Sequence, residues 1–149
     1  MIVVADASVL VAELLRRRGR ELFAHPDLSV VVPEEQWNET EHELKRRLGI
    51  LVDQGKLNAK DAQLLLEAVL KLVDDRIVEV IPHSFYAPKE AVARRRIPRD
   101  PNDWPPVALA LTLDVGILTG DHDFLGCGCP TWTVETLHQE LELDPAPGT

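Results

Sequence analysis

Asp6, Asp103 and Asp121 each stand where an apolar run stops or begins, and carboxylates in such places either shape a turn or meet others to do chemistry. Asp6 closes "IVVA" (2–5), and "ILTGDHDFLG" (117–126) ends an apolar run in Asp121 and Asp123. In "RDPNDWPP" (99–106), Asp100 and Asp103 open a helix-forming stretch. Glu35, Glu39 and Glu43 recur every four residues and share one helix face, where like charges repel and the plain alternative is a solvated acidic surface. If these acids converge, some must carry raised pKa values, and a hard cation that prefers oxygen ligands would neutralise them. His122 lies between two of them, as a base, a phosphate contact or an ordinary surface residue.

Capping competes with that reading, and unequally at Asp100 and Asp103. A capping Asp accepts from the backbone N–H groups two or three residues on. For Asp103 those residues are Pro105 and Pro106, which have no N–H, so its carboxylate stays free if the helix starts at Trp104. Asp100, followed by Pro101 and Asn102, suits the opening of a type I turn, which predicts a side chain occupied by local backbone.

The acids can meet only if the elements around them bring them together. Short β-branched runs predict strands at 2–5, 28–33 ("LSVVVP"), 77–82 ("IVEVIP") and 115–119, with "TWTV" (131–134) as a short edge strand. Helical spacing marks 7–17, 34–48, 59–75 behind an Asn58 cap, 88–96, 104–113 with prolines tolerated in its first turn, and 135–143. The alternation implies an α/β fold: three layers, α/β/α, with a central, mostly parallel sheet, in one domain over 1–142 and a loose tail over 143–149. Such sheets place their sites outside the carboxyl ends of the strands, where Asp6 and Asp121 stand.

Composition agrees with one ordinary globular domain: 149 residues, 45% hydrophobic and 28% charged. No apolar run approaches the ~20 residues of a membrane helix, and Met1 leads into "IVVAD" with no basic segment, which predicts a cytoplasmic protein without a signal peptide. Cys127 and Cys129 are too close for an ordinary disulfide, fit a reducing compartment, and lack the second pair a zinc site needs, so they read as a loop. A net charge of −9 speaks against a general nucleic-acid coat protein. The cations are nevertheless clustered: Arg16 to Arg20, Lys45 to Arg47, and Arg94 to Arg96 with Arg99 hold eleven of the 16 Lys and Arg residues. Each cluster is either a helix surface or part of a phosphate-backbone track beside a negative site. Trp37 and Trp104 are stacking surfaces or core.

"VVADASVL", the Glu repeat in the second helix, Asp103 before a helix with small residues (Ala108, Ala110), and "ILTGDHDF" together resemble the PIN-domain ribonucleases over about residues 2 to 138. The order of the motifs carries the likeness, since each alone is a few common residues. The resemblance implies an acid cluster that holds Mg²⁺ or Mn²⁺ and hydrolyses RNA, with Asp6, Glu39, Asp103 and Asp121 as catalytic residues and Asp6, Asp103, Asp121 and Asp123 as metal ligands. It leaves Glu35 and Glu43 as rivals to Glu39, and places Ser8 and Thr119 where the family often holds a ligand or water. It further implies an endoribonuclease paired, in many members, with an antitoxin protein, and a homodimer, for which "LLLEAVLKLV" (64–73) is a candidate face unless it packs on its own sheet.

Rival readings fit less well. A metal-dependent module of the von Willebrand A type needs a second Ser where "DASVL" has Leu10, and a haloacid-dehalogenase-like phosphatase needs an Asp where Ser8 stands. A catalytically silent PIN-fold domain that binds RNA or a partner would not need every candidate acid, and all are present.

Overall fold

Valines and other apolar residues fill both faces of the strands, as burial between two helical layers requires. The computed structural model describes residues 1–143. Strands β1 (Ile2–Ala5), β2 (Ser29–Pro33), β3 (Val78–Ile81), β4 (Gly116–Leu118) and β5 (Thr131–Trp132) form one sheet in the order β3-β2-β1-β4-β5. Every neighbouring pair is parallel, so β1 lies between β2 and β4 with Ala5 opposite Leu118. The residues that follow these two strands, Asp6 and the segment 119–123, therefore leave the sheet side by side.

Alternate strand residues face opposite layers. Val3, Ala5, Val30, Val32 and Leu118 pack with α1 (Ala7–Leu14), α2 (Arg17–Phe23), α3 (Glu34–Asp53), α4 (Ala59–Asp74) and α8 (Val134–Leu143). Val4, Val31 and Ile117 pack with Tyr86 from α5 (His83–Tyr86), Ala93 from α6 (Glu90–Arg96), and α7 (Trp104–Leu113). The three-layer α/β/α architecture is thus the one the strand and helix alternation implies. α7 has no polar face over its first seven residues, all buried from Trp104 to Ala110, and Ala108 and Ala110 let it lie close to the sheet. A left-handed Asp114 (φ 55°) ends it.

The Asn58 cap forms, its side chain accepting from the Asp61 N–H at 2.7 Å. On α4, Val69 is buried and Leu70, Leu72 and Val73 pack on the chain's own core, so the 64–73 face is largely used internally; Leu64 stays exposed. Trp37 and Trp104 are both buried, which removes Trp37 as a stacking surface and leaves Trp104 only an edge at a cleft. No helix among the described residues is long and apolar enough to cross a membrane. Apart from Leu143 at the end of α8, the expected loose tail lies outside the described residues.

Candidate active site

Asp6 ends β1 and caps α1. Its Oδ1 accepts from the Val9 N–H at 3.0 Å and the Ser8 hydroxyl at 2.8 Å, and its Oδ2 accepts from the Thr119 hydroxyl at 2.5 Å. A carboxylate offers about four acceptor positions, so this one keeps little beyond what the three donors take. Burial pushes the Asp6 carboxyl up; the hydrogen bonds from Thr119, Val9 and Ser8 pull it down without cancelling the rise, and the Asp121 charge adds to it.

Thr119 continues the link to Asp121. Its oxygen accepts from the Asp121 N–H at 2.9 Å, and Asp121 in turn caps a single helical turn, His122–Phe124, by accepting from the Asp123 N–H at 2.9 Å. The next residue, Phe124, is buried as the anchor of that turn.

Gln36 joins the opposite wall. Its amide oxygen accepts from the Ala7 N–H at 2.7 Å, and its amide nitrogen donates to Asp103 Oδ1 at 3.1 Å. Only a side chain with both an acceptor and a donor could serve a backbone N–H and a carboxylate at once. Asp103 makes no side-chain cap at the start of α7, as the missing N–H groups of Pro105 and Pro106 require. Its carboxyl is pushed up to about 6, first by burial, then by the charges of Asp6 and Asp100, with Gln36 opposing and Asp121 adding.

A cleft of about 500 Å³ opens between these walls, with Asp6, Ser8, Glu35, Glu39, Asp103 and Asp121 on its lining. The structure thus brings together Asp6, Asp103 and Asp121 with one face of α3. Among the helix acids, Glu43 lies outside this lining, bound by Arg46 at 2.9 Å and Arg47 at 3.2 Å, and these hydrogen bonds hold its carboxyl down at about 2. Glu35 reaches the cleft, but Tyr86 donates to one of its oxygens and His83 Nδ1 contacts the other. Glu39, exposed on the same lining, has no hydrogen bond or ion pair among the described residues.

Two placements differ from the sequence-based expectation. Asp123, expected beside the other acids, lines a separate groove with Arg96, Arg99 and His122, because the turn capped by Asp121 and anchored by Phe124 carries it away from the cleft. Asp100 does open a turn, closed by its carbonyl accepting from the Asp103 N–H at 3.1 Å, yet its carboxylate makes no cap and lines the acidic cleft. The backbone bond alone suffices for the turn. The sequence does not single out Gln36, Tyr86 or His83; a Gln in the first turn after a strand is the signal it offers for Gln36.

The donor set fits a hard divalent cation by its chemistry: all oxygen, all carboxylate, with Asp103 lifted first by burial and then by its acidic neighbours. As placed, no three acid, His or Cys side chains among the described residues converge on one ion position.

A family model described as PIN domain matches residues 4–142. No curated protein matches. Among solved structures, the chain is similar to the crystal structure of PAE2754 from Pyrobaculum aerophilum, with a TM-score of 0.67 and 19% identity over 97% of this chain and 91% of that one. That likeness bears on the fold. PIN domains are generally metal-dependent nucleases. With the family match spanning nearly all of its length, the chain belongs to the PIN-domain family.

Proposed function

We propose that the chain is a Mg²⁺- or Mn²⁺-dependent endoribonuclease whose active site is the acidic cleft at the carboxyl ends of β1 and β4. The observation that carries this reading is that Asp6, Asp103, Asp121 and Glu39 line one cleft with no basic side chain on that lining, where burial and then the charges of Asp6 and Asp100 raise the Asp103 carboxyl. Asp6, Asp103 and Asp121 would hold the ion, with Glu39 completing the acid set. Asp123 is not on the cleft lining, and its N–H donates to Asp121 Oδ1, which helps to fix that carboxylate. A bound divalent ion would supply charge neutralisation on the attacked phosphate and a water of lowered pKa.

The chain's own residues set the stage for that chemistry. Ser8 and Thr119 hold the two oxygens of Asp6, and Thr119 fixes the backbone at Asp121. Gln36 directs its N–H at Asp103 Oδ1, which fixes that carboxyl and leaves Oδ2 without a hydrogen bond among the described residues.

Cytoplasmic location, homodimerisation and action as the toxin partner of an antitoxin protein are part of the proposal, supported by the family likeness. The test is purified protein with end-labelled RNA, with Mn²⁺ and with chelator, beside Asp6→Asn and Asp121→Asn. Cleavage that needs the ion and falls by at least about 100-fold in both variants is expected. RNA binding without cleavage would assign the domain to the silent members of the fold instead.

A further inference from the structure

The 97–103 loop and the 121–126 loop line two depressions in succession. Asp100, Asn102 and Asp103 from the first loop and Asp121 from the second line the acidic cleft. One step back along the first loop and one step forward along the second, Pro98, Arg99, His122, Asp123 and Leu125, with Arg96 at the end of α6, line a groove of about 470 Å³. The walls are continuous, while the charge changes sign from one depression to the next.

The cations in this groove differ from those of the other clusters. Arg17 pairs with Glu21 at 2.9 Å, Lys45 with Glu41 at 3.0 Å, and Arg46 and Arg47 share Glu43; Arg16 and Arg18 lie 3.9 Å from Glu13, and Arg20 donates to the Leu14 carbonyl. Arg94 pairs with Glu90 at 2.9 Å, stands 5.8 Å from the Trp104 ring centre, and donates to the Pro101 carbonyl and Asn102. Arg96 and Arg99 form no ion pair among the described residues. Arg96 is also fixed in position. Its Nη1 donates to the Cys127 carbonyl at 3.1 Å, and it lies where a Cβ on Gly128 (φ +89°) would come within 2.4 Å of it, so Gly128 leaves the space the guanidinium occupies. One of five N–H donors is spent on that carbonyl, leaving the others free in a preset fork. Asp123 is the one carboxylate on this lining, against two arginines.

We propose that this groove binds the phosphate next to the scissile one, so that the site takes a single polynucleotide strand laid along the seam between the two loops. This rests on the nuclease reading. A ligand that presents one anion to the acidic cleft, where a cation would bridge it, and a second anion to a cationic groove on the same walls must carry anions at short, regular intervals. A phosphodiester backbone has that property, and Arg96 and Arg99 can each make charge-assisted bonds to a phosphate oxygen.

The experiment compares a dinucleoside monophosphate, which has the scissile phosphate alone, with a hexaribonucleotide. The wild-type protein should prefer the hexamer in kcat/KM. In Arg99→Gln the hexamer-to-dinucleotide ratio should fall about tenfold, mainly through KM, as expected for losing one charge-assisted bond. Arg95→Gln, an exposed cation off this lining, should leave the ratio unchanged. Thermal melting checks that the variants fold, and Ile97 and Phe124, the buried anchors of the two loops, are untouched. An unaltered ratio in Arg99→Gln, or an equal loss on both substrates, overturns the proposal. If the wild-type protein cleaves neither substrate, the nuclease reading falls, and the groove is judged by anisotropy of a labelled hexamer in chelator. There Arg99→Gln should weaken binding about tenfold and lower the salt slope by about one; an equal Kd and slope overturn it.

Discussion

The Thr119 hydroxyl donates to Asp6 Oδ2 at 2.5 Å and accepts from the Asp121 N–H at 2.9 Å, so one oxygen ties the carboxylate ending β1 to the backbone of the acid that follows β4. Asp6 is buried, Asp121 is partly so, and Thr119 itself is 5% exposed. Replacing Thr119 with Val keeps the shape and removes both bonds. The expected cost is on the order of 1–3 kcal/mol, since a buried carboxylate and an N–H lose their partner. Thr119→Ser should recover most of it. Removing that donor also raises the Asp6 carboxyl further, so the deficit should grow as pH rises and Asp6 must ionise. Urea unfolding of the three proteins across pH measures this, and a Val variant as stable as wild type would show the bond to be incidental.

A second outcome concerns the His83, Glu35 and Tyr86 cluster at the rim of the cleft. Hydrogen bonding to Glu35 raises the His83 imidazole above its ordinary 6.5. Burial alone would raise the Glu35 carboxyl, but the bonds from Tyr86 and His83 outweigh it and hold Glu35 below its ordinary 4.5. The His83 contribution is therefore complete below about 6.5 and is lost as pH climbs through the raised value; the Glu35 contribution is present above 4.5 and is lost as pH falls through the lowered one. Together they stabilise most between those two values. His83→Gln should destabilise more near about pH 5.5 than near about pH 8.5, read by thermal melts in matched buffers. An equal loss at both would mean that His83 acts through packing on Tyr86 and Trp104, whose rings lie 5.7 and 5.6 Å away.

The three-arginine cluster gives a third. Replacing Arg94, Arg95 and Arg96 together with Ala mixes two effects, because Arg94 braces the loop that carries Asp100 and Asp103. Arg94→Ala alone should lower stability by roughly 1 kcal/mol and disturb Asp103, while Arg99→Gln should affect RNA binding and spare stability. Chemical denaturation beside salt-dependent RNA binding separates them. A stable Arg94→Ala with a reduced salt slope would put Arg94 back on the RNA track.

Much of this was legible because the strands are uniformly apolar and the acids punctuate them: β1, α4 and α7 lie close to where periodicity placed them, and α7 matches residue for residue. What was not legible depends on tertiary partners. α2 has charged residues where periodicity needs apolar ones, and of its apolar side chains only Leu22 and Phe23 are buried, beside Gly19 packed close to Glu13. α5 is a single turn whose one buried residue is Tyr86. Equal spacing on one face does not distinguish Glu35, Glu39 and Glu43; the structure distinguishes them by their partners, Tyr86 and His83 for Glu35 and two arginines for Glu43. Asp123 is expected at the site from the family resemblance alone, which says nothing about the direction a capped turn gives it here.

Asp100 and Asp103 give the last expected outcome, and the structure changes its terms. Both carboxylates line the cleft and neither caps a helix, so Asp100→Asn should carry no capping loss. Asp103 titrates at about 6 in the folded protein against an ordinary 3.8, so the folded state holds its proton longer and metal-free stability declines as pH rises from 3.8 to about 6. Asp103→Asn removes that decline while its Oδ1 still accepts from Gln36. Above pH 6 the variant should be more stable without metal by on the order of 1 kcal/mol, the full shift being reduced by the solvent this half-exposed group still meets. It should lose the melting-temperature rise given by Mn²⁺, together with RNA cleavage. Asp100→Asn acts through charge: it should move the Asp103 titration downward, shift the acid limb of the cleavage profile with it, and keep both cleavage and the Mn²⁺ response. Carboxyl titration by NMR, melts with and without Mn²⁺, and an RNA cleavage profile decide it. An active Asp103→Asn protein would remove Asp103 from the site, and loss of the Mn²⁺ response in Asp100→Asn alone would exchange the two roles.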